Sequence, residues 1–131
     1  MQPTTFLKRV LLLDAASCLG MGALLAAGAG ALAPLFGLDR ALLSGAGIAL
    51  IPVGLFMLWT GTRAVPPRPA VYLIVAGNLL WVLESLLVLR GAEAATGLGT
   101  AFVLVQAAAV AGLAMLEWIG VRRLAPVAAR G

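Results

Sequence analysis

The chain has 131 residues, 63% of them hydrophobic and 11% charged, with a formal net charge of +4, one cysteine and no histidine. A soluble domain of this size leaves too much surface in water to hide so much apolar area, so lipid is the expected solvent. The residue counts exclude an internal disulfide, a histidine-ligated haem and a histidine-containing zinc site, and no cofactor or metal is expected.

Crossing about 30 Å of hydrocarbon takes roughly 20 helical residues. The first candidate span covers residues 10–36 and contains Asp14, ending where Pro34, Gly37 and Asp39 signal a turn. A cleavable signal peptide competes for this stretch, because Lys8 and Arg9 precede an apolar run. Signal cores are usually 7–15 residues, however, and this run is far longer and carries an acid. The second span, residues 41–62, holds no charge. Pro52 removes one of its backbone hydrogen bonds and is expected to kink it near Ile48. The third span, residues 70–89, contains Asn78, Glu84 and Ser85. The fourth, residues 96–121, contains Gln106 and Glu117.

The connections are short, so neighbouring helices should be antiparallel. The expected fold is all-α: a polytopic membrane protein, an up-down bundle of four transmembrane helices forming one domain over residues 1–131. Lys8, Arg9, Arg63, Arg68, Arg122, Arg123 and Arg130 fall at one end and Arg40 and Arg90 at the other, seven of the nine basic residues against two. That bias puts both termini in the cytoplasm and the protein in the inner (plasma) membrane. Because the basic residues cap apolar runs rather than forming a stripe, they fit lipid headgroups and not nucleic acid.

Small residues let membrane helices approach closely. Ala26 with Gly30, and Ala108 with Gly112, are spaced to pack within the chain, or against a second copy or a partner membrane protein.

Three of the five acids lie inside apolar spans, where an acid costs about 2.5–3.5 kcal/mol at a helix centre. Asp14 is five residues past Arg9 and Glu117 five before Arg122, each about 7–8 Å inside its arginine. Asn78, counted from the start of the third span, lies somewhat deeper, and Asp14, Asn78 and Glu117 are expected in one polar layer of the inner half. Glu84 and Gln106 are expected in the outer half. Ion pairs with Arg9, Arg122 or Arg123, plus amide hydrogen bonds between helices, would explain these residues structurally. A proton or ion relay, or a ligand pocket, would explain them functionally.

Four segments, LLLDAASCLG from Leu11, AGNLLWVLES from Ala76, TGLGTAFVLVQA from Thr96 and LEWIGVRR from Leu116, resemble a family of short bacterial four-helix membrane proteins. The resemblance implies four helices and a bacterial origin and carries no activity. Three functions follow from the residues: a non-enzymatic subunit or accessory factor acting through helix association, a small proton-coupled transporter or channel using the intramembrane acids, or a membrane enzyme acting on lipid with the acids as acid/base groups. The enzyme ranks last, since no paired carboxylates share a layer with an obvious nucleophile.

Overall fold

In a computed structural model, which describes residues 2–124, the chain forms four helices: α1 (Pro3–Phe36), α2 (Arg40–Thr62), α3 (Arg68–Gly91) and α4 (Gly97–Arg122). No strand occurs among the described residues. All four are long and apolar enough to cross a membrane, which marks a multi-pass membrane protein. Arg130, one of the expected basic-end residues, lies outside the described residues.

α1 starts seven residues before its apolar run. Pro3 sits in its first turn, where the missing N–H is not needed, and Leu7 and Val10 are buried. Its 34 residues make it about 50 Å long, well beyond the hydrocarbon thickness. α2 remains helical through Pro52. Pro69 falls in the first turn of α3 rather than in the preceding loop.

Contacts along the helices fix their directions. Gly22 of α1 meets Gly47 of α2, and further back on α1 Leu12 meets Gly61. Phe36 stacks on Phe102 of α4 with centroids 4.6 Å apart, while Leu7 packs at Gly120. Tyr72 of α3 meets Trp118 of α4 edge to face. Each of these pairs is therefore antiparallel. One end of the bundle gathers Lys8, Arg9, Arg63, Arg68, Arg122 and Arg123, and the other Arg40 and Arg90. At the basic end the arginines rest on aromatic rings: Arg63 over Trp59, Arg122 over Trp118 and Arg123 over Phe6.

The opposite end is closed by a joint between α1 and α4. Gly37 ends α1 in the left-handed region (φ 64°), which glycine adopts without strain. Thr96 then satisfies two carbonyls that the end of α1 leaves free. Its N–H donates to Phe36 O at 3.0 Å and its Oγ1 to Leu35 O at 2.7 Å, while Oγ1 also accepts from Gly99 N–H as the α4 N-cap.

The closest helix pair is α1 with α2, joined through glycine. A Cβ on Gly47 would stand 2.5 Å from Ala26 N and 2.7 Å from Gly22 O, both backbone atoms that have no rotamer to escape into. Two residues away, a Cβ on Gly45 would meet nothing within 4 Å. Gly47→Ala is therefore expected to cost about 1–3 kcal/mol by forcing the helices apart. Gly45→Ala should leave stability unchanged or raise it by up to about 1 kcal/mol through helix propensity. Thermal unfolding of the two variants in detergent checks the pair, and equal melting would refute the close crossing.

α2 and α3 barely meet. The helices therefore run α2, α1, α4, α3 around an arc that stays open between its ends. Leucine, isoleucine and methionine cover the outward faces, with Leu13 59% and Met115 64% exposed. Apolar patches of this extent are rare on soluble monomers and suit hydrocarbon.

Candidate functional site

The half of the arc toward the basic end holds three buried polar side chains, one from each of α1, α3 and α4. Asp14, Asn78 and Glu117 are 1%, 5% and 0% exposed. Asn78 is the hub. Its Nδ2 carries two hydrogens and donates one to Asp14 Oδ2 and one to Glu117 Oε1, both at 2.8 Å. An amide turned the other way would face two acceptors with a third, so the acids fix its orientation. Asp14 Oδ1 lies 3.7 Å from Cys18 Sγ, which is also 3.6 Å from Met57 Sδ. One thiol hydrogen serves only one of these neighbours, so Cys18 links α1 to α2 weakly.

Glu117 Oε2 is buried and receives no hydrogen from any donor. Asp14 and Glu117 bond the same nitrogen, each at 2.8 Å, so the two carboxyl groups are close neighbours. Two ionised carboxylates only accept, so a bond between them requires one of the pair to carry a proton. Among the described residues no arginine joins the group. Arg122 and Arg123 lie on Trp118 and Phe6 instead, and Arg9 is exposed.

The second polar group sits farther along α3. Ser85 is seven residues beyond Asn78, about 10 Å of helix rise. Gln106 Oε1 accepts from Trp81 Nε1 at 2.7 Å, and Gln106 Nε2 donates to Ser85 Oγ at 3.0 Å and Val103 O at 2.9 Å. Ser85 Oγ itself donates to Trp81 O at 2.8 Å. Glu84 does not join Gln106. It is exposed and has no hydrogen-bond or ion-pair partner among the described residues. Successive helix positions are about 100° apart, so Ser85 and Glu84 cannot both face α4.

Both polar groups border one cavity of about 1050 Å³ in the gap between α2 and α3. Its wall is mostly apolar, with Pro52, Phe56 and Met57 from α2 facing Ile74 and Trp81 of α3. Asp14 and Asn78 line its inner part, and Gln106 and Glu84 also border it. Glu117 stands behind Asn78, outside the lining. The position of this cavity had no sequence signal, since it results from where α2 stops touching α3.

Set against known protein families, curated proteins and solved structures, the chain matches none, so its chemistry has to be read from its own residues.

Proposed function

We propose that this chain is a small proton-coupled membrane transporter, with a proton site at Asp14 and Glu117 and a substrate site in the cavity between α2 and α3. The observation that carries this reading is the Asn78 bridge. One amide bridges two buried carboxyl groups inside apolar spans, with one carboxyl oxygen left without a donor and with Arg122 and Arg123 lying on aromatic rings rather than on either acid. A buried charge without a partner is costly, and a single proton shared by the pair supplies the missing donor and removes one charge. Asp14 and Asn78 belong also to the cavity wall, so a ligand there touches the same group that binds the proton. Pro52, on the α2 side of the cavity, gives that helix a weak point for opening and closing the gap.

The setting is the plasma membrane of a bacterium, with the basic end, and both termini, in the cytoplasm. The proton pair then lies in the inner half of the bilayer. Association is the second reading. Gly22, Gly47, Gly54 and Gly61 are used between α1 and α2, but Ala108 and Gly112 face outward, and a Cβ on Gly112 meets nothing within 4 Å. This face suits a second copy or a partner membrane protein and is compatible with transport.

Reconstituted into vesicles under an imposed pH gradient, the wild-type protein should dissipate the gradient faster than empty vesicles. Asp14→Asn and Glu117→Gln should stay folded and lose that flux. Wild-type flux no greater than that of empty vesicles would overturn the transport reading.

A further inference from the structure

Where the cavity is polar and ionisable, it is acidic. Its polar rim offers two acids, Asp14 and Glu84, and its wall contains no lysine or arginine. Every basic residue of the described chain lies toward a helix end or in a loop, away from this gap. Glu84 is the notable group. It is an exposed carboxylate inside an apolar span, it borders both this cavity and the smaller one beside it, and nothing in the described chain pairs with it. Acids at membrane depth normally face a partner or line a path. Around it the wall is aromatic and aliphatic, with Phe56, Trp81 and Phe102 presenting rings.

These features describe one kind of occupant. A small hydrated cation would leave most of about 1050 Å³ unfilled and would have to shed its water into an apolar chamber. An anion would meet two acids and no base. A neutral apolar molecule would leave Glu84 unpaired. A bulky cation with its charge spread over apolar groups fills the chamber, loses little hydration, pairs with Glu84 and lies on the rings. We infer that the cavity between α2 and α3 binds lipophilic cations, entering sideways from the bilayer past Glu84. The inference rests on the transporter reading for its purpose, but its physical content, charge selection at Glu84, is testable by itself.

Tetraphenylphosphonium and tetraphenylborate have nearly the same shape and opposite charge, which makes them the probes. In a Trp59→Phe/Trp118→Phe background Trp81 is the remaining tryptophan, and its fluorescence reports the cavity. In detergent, with the empty-micelle signal subtracted, the phosphonium should bind saturably and the borate about tenfold or more weakly. Glu84→Gln should weaken phosphonium binding about tenfold and leave the borate unaffected. Glu93→Gln removes the same charge in the loop after α3 and should change neither. If the double tryptophan variant does not fold, calorimetric titration of the wild type and of Glu84→Gln applies the same criteria. Equal affinity for the two ions, no saturable phosphonium signal, or a phosphonium affinity indifferent to Glu84→Gln would overturn the inference. The failure of proton binding is a separate event, since Glu84 lies outside the Asp14–Asn78–Glu117 group. The proton-binding steps assigned to Asp14 and Glu117 should persist in Glu84→Gln if that group works as proposed.

Discussion

Asn78→Leu is expected to be among the most damaging single substitutions in the chain, destabilising it by about 3 kcal/mol in detergent. The side chain is close in size, so the effect is not one of volume. It removes two hydrogen bonds at once and leaves two buried carboxyl groups facing each other without a donor between them. Amide hydrogen bonds between membrane helices average only about 0.6 kcal/mol, because partners in the unfolded state replace them. This case should exceed that average, since both acceptors are acids buried to 1% exposure or less. A companion variant separates structure from function. Replacing all three side chains, as Asp14→Leu/Asn78→Leu/Glu117→Met, removes the orphaned groups together with their donor. Whole buried polar groups can often be replaced by apolar ones at no loss, so the triple variant should recover to within about 1 kcal/mol of wild type or better. It should also lose all proton flux. Urea or detergent unfolding of the two proteins decides the point. A triple variant as unstable as Asn78→Leu would mean that the polar group exists to hold the helices together.

Much of this was legible in the sequence for physical reasons that can be named. An apolar run of 20 or more residues has few other stable forms in lipid, where every backbone group must be bonded internally, so the four helices stand out. Depth follows from a rise of about 1.5 Å per residue, which is why Asp14, Asn78 and Glu117 could be put at one level from their distances to Arg9, Arg122 and the start of the third span. Rotation and closure were not legible. Gln106 bonds to Trp81 and Ser85 and not to Glu84 because the packing of α3 on α4 decides which side of α3 faces inward. Lipid gives apolar helices little reason to close on one another, so the contacts follow the small residues. Gly22 and Gly47 draw α1 and α2 together. The meeting faces of α2 and α3 hold larger side chains such as Phe56 and Trp81, and a gap remains there. The joint at Thr96 was invisible for a different reason. A threonine before a helix reads as an N-cap, and nothing in its neighbours says that it also bonds the carbonyls of Leu35 and Phe36, some sixty residues earlier. Of the explanations open for the acids, ion pairing with Arg122 or Arg123 is not what the structure shows, because those two arginines lie on rings.

The central claim is that Asp14 and Glu117 hold one proton between them. Two independent carboxyl groups titrate separately, so removing one leaves the other's step in place. A coupled pair titrates as a unit, and its steps belong to neither residue alone. The direct measurement is a proton count on the purified protein in weakly buffered detergent solution, across the pH range in which it stays folded. Asp14→Asn and Glu117→Gln should each leave one carboxyl whose step falls at a pH different from either wild-type step, and Asp14→Asn/Glu117→Gln should remove both steps. Separate, additive losses in the two single variants would contradict a shared proton, and so would titration curves that coincide with the wild type.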